Sequence, residues 1–339
     1  MYEPDKALAA FLRELPKTET HLHLEGALPF HFVQEMNPAL YRNSPASWDS
    51  HYKFSSFAQF ENELIAMSAP FHHSPEQYYR SAKEIFSRLY AEEQVRYVEC
   101  SFASGVLEFM GGDGAANAEA IKQAAPAGME VRVFMGIHHN GLTAKSRGFI
   151  EDAVHWKYLD GVDLHGEETL PLEPWASEVW QAFRAAGKRT KAHAGEFCGA
   201  EFVERVMEQL GVDRIQHGVR SIEDRILVER LADEGIVLDI CPISNVKLAV
   251  VERMELHPIR ELFDAGVCCT VSTDDPLSFG NRLSQEYAAL HQALGFTYRE
   301  LGQLARNGFL TSDMDPAQRR MYLDTIDSVV ARHSGVKGE

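Results

Sequence analysis

Long apolar stretches are missing from this chain. No run approaches the roughly 18 residues that a membrane-spanning helix requires, so the composition reads as that of a soluble globular protein with no membrane partner. Basic residues are scarce: Lys and Arg number 33 against 50 Asp and Glu, giving a formal net charge of -17. A nucleic-acid binder needs clustered cations to neutralise phosphates, so a small uncharged substrate suits this balance better than a polyanion. Cysteines are few. Cys100, Cys198, Cys241, Cys268 and Cys269 contain no C-x-x-C pair, which points to thiols in a reducing compartment rather than to disulfides or metal ligands. The segment Met110-Gly-Gly-Asp-Gly-Ala, a loop with Gly111 to Gly114 at its heart, lacks the Lys of a phosphate-binding loop and the spacing of a dinucleotide fingerprint. The start, Met1-Tyr-Glu-Pro-Asp, carries no basic segment leading into an apolar one, and a cytoplasmic location is the expectation.

What the chain does have is a rhythm. Short apolar runs rich in β-branched residues alternate with segments of helical periodicity, the signature of repeated βα units and a parallel sheet. Eight such runs are readable: Glu19 to Leu24, Val95 to Phe102, Val131 to Ile137, Gly161 to Leu164, Thr190 to Ala194, Arg214 to Val219, Ile236 to Ile240 and Val267 to Ser272. Eight strands with intervening helices predict a closed (β/α)8 TIM-type barrel, with its functional site at the C-terminal strand ends. A single domain over 1–339 is expected. About seventy residues separate the first two strands, far more than a crossover needs, so 29–93 should hold a helical insertion over the barrel mouth. Its Phe54, Phe57, Phe60, Leu64 and Met67 form a stripe that serves either as helix core or as a cover for substrate. Two outer helices are expected, Ala200 to Leu210 with Phe202, Val203, Val206 and Leu210 inward, and Ile222 to Asp233 with Ile226, Leu227 and Leu231 inward.

Four distant fragments end such strands and carry metal-type chemistry: His21-Leu-His23, His193-Ala-Gly-Glu196, Gln216-His217-Gly218 and Ser272-Thr-Asp274-Asp275-Pro276. His21 and His23 lie two apart on a strand and therefore point to one face, the interior mouth. Gly195 and the preceding strand favour a loop for His193 and Glu196, with His193 on an ion and Glu196 just outside it, able to exchange a proton with substrate. His217 then reads as a base beside the ion. Adjacent carboxylates on an extended segment point apart, so one of Asp274 and Asp275 completes a metal shell while the other faces the substrate. Taken singly, each fragment has a plain alternative as core histidines or as an Asp-Asp-Pro turn. Together they make a sufficient ligand set for catalytic zinc.

At this point a resemblance is visible. The chain is similar to the adenosine and adenine deaminases of the zinc amidohydrolase superfamily in Pro16-Lys-Thr-Glu-Thr-His-Leu-His-Leu-Glu-Gly26, His193-Ala-Gly-Glu196, Val212-Asp-Arg-Ile-Gln-His-Gly218, Cys241-Pro-Ile-Ser-Asn245 and Thr273-Asp-Asp-Pro276, over about Pro16 to Tyr287. The resemblance implies one Zn2+ per chain on His21, His23, His193 and Asp274. It implies that Glu196 protonates the ring nitrogen next to the reacting carbon, that His217 orients or deprotonates water, and that Asp275 accepts a hydrogen bond from a nitrogen of the five-membered ring. The backbone NH of Gly166 would contact the six-membered ring. Metal binding brings the pKa of water to about 7. The other zinc deaminase signature, H-x-E with P-C-x-x-C, does not occur, and Gly161 to Glu168 has no Lys to bridge two metals.

The expected reaction is hydrolytic deamination of a 6-aminopurine nucleoside, adenosine to inosine plus ammonia. The alternative is adenine or a modified adenine compound, such as 6-aminodeoxyfutalosine or an N6-substituted adenine. A metal-binding barrel without catalysis is the competing class, though it would have no use for Glu196 and His217. Glu25 stands where animal adenosine deaminases carry Asp near the ribose, and Cys241 to Asn245 also resembles the microbial adenine deaminases. Asp275-Pro-Leu-Ser-Phe-Gly280, Leu283 and Glu286-Tyr287 look more like the nucleoside branch. His165 replaces a small residue common before the purine-contacting Gly, and Ile137-His138-His139 stands where many relatives have Arg-His. Oligomeric state is not readable from one chain.

Overall fold

A computed structural model describes residues 2–335. Eight parallel strands follow one another in sequence order around a nearly closed barrel: β1 (Lys17–His23), β2 (Val95–Ala103), β3 (Glu130–His138), β4 (Gly161–His165), β5 (Arg189–Ala194), β6 (Arg214–His217), β7 (Val237–Ile240) and β8 (Cys268–Val271). Closure runs through the segment after β8. Leu22 bridges to Asp274, with the Asp274 amide donating to His21 O at 3.1 Å and the His23 amide to Asp274 O at 3.2 Å. The sixth run stops at His217 rather than Val219, because His217 (φ 66°) and Gly218 (φ 70°) both take the left-handed conformation that breaks a strand.

Apolar side chains from the outer strand faces and the surrounding helices form one main core, Val98, Val133, Val162, Ile215 and Leu238 among them. The barrel interior is polar, unlike the branched apolar layers usual for this architecture. Arg214 donates to both oxygens of Asp239, at 2.6 and 2.8 Å, and Gln216 donates to the same carboxylate at 2.7 Å. Lys191 Nζ lies 3.1 Å from Glu99 and donates to Thr20 O at 2.9 Å. These groups are buried, so each charge persists only because it is paired. The network lies under the histidine cluster and reaches it through Asp239 O, which accepts from His21 Nδ1 at 3.0 Å.

Helix α1 (Lys6–Glu14) precedes the barrel, and α2 (Phe30–Met36), α3 (Phe57–Ser68) and α4 (Pro75–Glu92) lie between β1 and β2. Ser56 and Ser74 cap α3 and α4 by accepting from amides three residues on, and Pro75 opens α4 where no intrahelical donor is needed. The apolar stripe divides. Phe54 and Phe60 pack on Phe279 and Leu248, Met67 packs with Phe32 and Phe71, and Phe57, Phe60 and Leu64 face the mouth.

Two outer helices flank β6 in the chain. Ala200–Leu210 buries Phe202, Val203, Val206 and Leu210 as its periodicity requires. The next helix starts at Arg225 behind an Asp224 cap and buries Leu227, Val228 and Leu231, leaving Ile226 78 % exposed. Ile226 therefore corrects the expected inward face: at about 100° per residue Leu227, Val228 and Leu231 fall in one narrow stripe, while Ile226 lies about 140° from Leu231 and turns outward. Gly111 separates two helices, and Gly114 already belongs to the second, Gly114–Gln123, capped by Asp113. All five cysteines are free thiols. No described helix is long and apolar enough to cross a membrane.

Candidate active site

The four fragments converge. His21 and His23 from β1, His193 from β5, His217 from β6 and Asp274 after β8 meet at the C-terminal mouth, below a cavity of about 340 Å³. His23, Glu25, His165, Gly166, His193, Glu196, His217, Asp274 and Asp275 line it, and His21 lies beneath.

His21 Nδ1 donates to Asp239 O at 3.0 Å and His193 Nδ1 to Leu164 O at 2.9 Å, since a carbonyl only accepts. Both Nε2 atoms therefore present lone pairs. They nevertheless sit 3.0 Å apart, and His23 Nε2 lies 3.2 Å from His193 Nε2. Asp274 Oδ1 is 3.4 Å from His21 Nε2 and 3.3 Å from His23 Nε2. Acceptors crowded at this spacing repel unless a cation lies among them. A tetrahedral ion with bonds of roughly 2.0 to 2.1 Å sets its ligands about 3.3 Å apart, so the donor set fits a divalent metal. His21, His193, His217 and Asp274 bring one ligand atom each within 4.8 Å of one another, as do His23, Asp274 and Asp275. The hydrogen-bonded Nδ1 atoms fix the rings, as metal-binding histidines require, and Ser101 Oγ lies 3.1 Å from His23 Nδ1.

Asp274 has φ 66°, a strained conformation outside glycine, and this turns its carboxylate into the ring of histidines. Its other oxygen accepts from Ser244 Oγ at 2.6 Å. Burial works against its charge, yet His21, His23 and His217 hold its carboxyl well below the usual range. The Asp275 carboxylate stays within 4.8 Å of the Asp274 carboxylate and reaches toward Gly26. A β-carbon on Gly26 would stand 1.6 Å from Asp275 Oδ1, so only glycine permits this approach. Burial first, then Asp274, pushes the Asp275 carboxyl far up, and its Oδ1 has no protein partner.

Glu196 follows Gly195 (φ 71°) on a loop, not a helix, and its Oε1 is 3.5 Å from His217 Nε2. Burial, followed by the charges of Asp274 and Glu168, raises its carboxyl well above the ordinary value. A raised carboxyl keeps its proton near neutral pH, the state a general acid needs. His165 is buried with Nε2 unpaired, its ring stacked on His23 at 5.4 Å and edge-on to His138 at 4.5 Å. Burial and the neighbouring histidines keep it neutral.

Several working residues escaped the sequence reading. Glu168 accepts from the amides of Gly195, Glu196, Phe197 and Cys198, at 2.5, 3.1, 2.5 and 2.9 Å. Asn245 lies 3.2 Å from His217 Nδ1. Tyr78 donates to Glu25 Oε1 at 2.9 Å, and the Ala103 amide donates to the same oxygen at 3.0 Å. Only Asn245 had a signal, its place in Cys241-Pro-Ile-Ser-Asn245.

A sequence model described as adenosine deaminase matches residues 16–329. The chain belongs to the adenosine deaminase family. Family members similar to it include the adenine deaminase of Streptomyces coelicolor, 32% identical over 334 residues that cover 94% of this chain and 96% of that protein. The adenine deaminase of Sinorhizobium medicae is 34% identical over 322 residues, covering 92% and 98%. Among solved structures, adenine deaminase from Arthrobacter aurescens superposes with a TM-score of 0.83 at 25% identity over 94% of this chain and 99% of that one. The N6-methyl-AMP deaminase of Arabidopsis thaliana shares the fold, with a TM-score of 0.78 at 20% identity over 96% and 100%. Family membership makes this protein a hydrolytic deaminase.

Proposed function

We propose that this chain is a zinc-dependent 6-aminopurine deaminase whose substrate is the free base adenine, converted to hypoxanthine and ammonia. The observation that carries the reading is the ring of His21, His23, His193 and Asp274 with Glu196 and His217 standing 3.5 Å apart beside it. When bound, one zinc ion supplies water activated at neutral pH. Glu196 gives its proton to N1, which draws electrons from C6. The water oxygen adds to C6, and one of its protons passes to a neighbouring base. The remaining hydroxyl becomes the 6-oxo group as its proton goes to the amino nitrogen and the C6–N6 bond breaks to release ammonia. Gly166 lines the cavity, and its N–H is the donor for the six-membered ring. Asp275 is expected from the sequence as an acceptor; opposite N7 of the 9H tautomer, which offers only a lone pair, it pairs as the protonated donor.

Base rather than nucleoside is favoured by Glu25, which lines the cavity beside Gly26 and Asp275 with one oxygen already fixed by Tyr78 and Ala103. Its other oxygen is free to accept from the N9–H of adenine, a donor that a nucleoside lacks. The similar proteins named adenine deaminase support the same choice. The test is ammonia release by zinc-loaded protein from adenine, adenosine, deoxyadenosine and 6-aminodeoxyfutalosine. Adenine should give the highest kcat/KM, and silence from every 6-aminopurine would overturn the proposal.

A further inference from the structure

His257 lies outside the cavity and touches none of the expected metal ligands, yet it heads a chain of hydrogen bonds that ends on His217. The chain starts at a group whose direction is beyond doubt. The Ile259 backbone N–H donates to His257 Nδ1 at 3.1 Å, so that nitrogen is an acceptor. In a neutral imidazole the other nitrogen then carries the hydrogen. His257 is buried, and burial holds its pKa down to about 3, so the ring is neutral at working pH. Its Nε2–H donates to Asn245 Oδ1 at 3.1 Å. That bond fixes which end of the Asn245 amide faces each way, and its Nδ2 donates to His217 Nδ1 at 3.2 Å. By the same rule His217 carries its hydrogen on Nε2, which faces Glu196 Oε1 at 3.5 Å and Asp274 Oδ2 at 3.9 Å. Turning Asn245 over would set two N–H groups against each other at His257.

We infer that His257 is a positioning residue for the deamination, acting through Asn245 to fix His217 in the tautomer with hydrogen on Nε2. The inference rests on the deaminase reading of the site. Its consequence is a choice between the two roles open to His217. With Nε2 already protonated, the ring holds the attacking oxygen as a hydrogen-bond donor and does not take the water proton. That proton passes to the carboxylates that Nε2 faces, Glu196 after it has protonated N1 or Asp274, and returns to Glu196 before the next turnover. No atom is gained or lost.

The experiment combines turnover with 15N spectra of histidine-labelled, zinc-loaded protein, the His217 signals being assigned by their loss in His217→Gln. In the wild type, His217 Nε2 should show the shift of a protonated nitrogen. His257→Leu should lower kcat on the order of 10- to 100-fold, the range for loss of an outer hydrogen-bonding partner that orients a site histidine, with KM within about 3-fold and zinc content unchanged. His257→Gln keeps a donor for Asn245 and should restore most of kcat. Asn245→Asp keeps the volume but offers an acceptor to Nδ1, so it should move the hydrogen from Nε2 to Nδ1 and lower kcat by about 100-fold or more. A wild-type His217 with unprotonated Nε2 overturns the inference. So does a His257→Leu protein whose kcat and His217 spectrum are unchanged, or whose activity loss is shared equally by His257→Gln. The spectra do not depend on turnover. A correct tautomer chain in a protein that deaminates nothing would reject the deaminase reading alone.

Discussion

Glu168 holds Glu196 by its main chain: both carboxylate oxygens of Glu168 are occupied by four consecutive amides, one of them the Glu196 N–H at 3.1 Å. The loop after β5 thereby has one conformation, and the Glu196 side chain leaves it in one direction. Glu168→Ala should cut kcat by about 100-fold, the scale of an ångström-level misplacement of a reacting group, with zinc content unchanged. Steady-state kinetics beside metal analysis check this. A loss of zinc equal to the loss of rate would show that the loop supports the metal instead.

Metal retention and proton transfer should separate cleanly. His193→Ala removes a ligand and should lose zinc and activity together. Glu196→Gln should keep zinc and slow turnover by on the order of 10² to 10⁴, the range of a positioned acid-base group. A zinc-free Glu196→Gln protein would move Glu196 into the ligand shell.

Substrate choice should respond to a residue that never touches substrate. Tyr78 is fully buried on α4, and its hydroxyl fixes one oxygen of Glu25. Tyr78→Phe should lower kcat/KM for adenine by about 10-fold or more, as expected for a lost hydrogen bond to a charged group worth about 1.5 to 3 kcal/mol. Adenosine should be little affected, so the adenosine-to-adenine ratio should rise, and Glu25→Ala should move it the same way. An unchanged ratio in both variants would make Glu25 a support for the histidines only.

Nucleotides should be rejected. Among the described residues no Lys or Arg lines the cavity, whereas Glu25 and Glu61 do, the latter 3.5 Å from His138. A phosphate entering there would meet carboxylates without a cation to pair with. AMP should show kcat/KM at least about 100-fold below adenine, and comparable rates would require an unrecognised cation at the mouth.

Acid should unfold the barrel partly through Glu99. Burial alone would raise this carboxyl, but Arg189, Arg214 and Lys191 overcome it and hold it far below 4.5. A depressed folded value means that the stability it contributes is full above the unfolded pKa of about 4.5 and is lost as pH falls toward the folded one. Glu99→Gln leaves Lys191 and Arg189 without their buried carboxylate, Arg214 keeping Asp239, and should cost on the order of 3 kcal/mol at pH 7. In denaturant titrations the gap between wild type and variant should narrow below about pH 4; a gap that stays constant down to pH 2 would show that Glu99 does not titrate with unfolding.

The sequence by itself determined the eight strands, their order and the metal-type residues at their ends. Each of these is a local signal: a run of β-branched residues makes a strand, and a two-residue spacing puts His21 and His23 on one face. Tertiary structure alone decided which side chains hold those residues in place. Glu168 reaches the Glu196 amide across 28 positions, Asn245 reaches His217 across 28, and Tyr78 reaches Glu25 across 53. A hydrogen bond has no sequence period, so a Glu in a loop or a Tyr on a helix looks the same whether its partner is water or a site residue. Ile226 misled for a related reason: two neighbouring stripes share Leu227 and Leu231, and packing against the barrel chose the one with Val228. The strained backbone of Asp274 was equally invisible, because it sits where barrel closure bridges it to Leu22 and is not dictated by the residue that bears it.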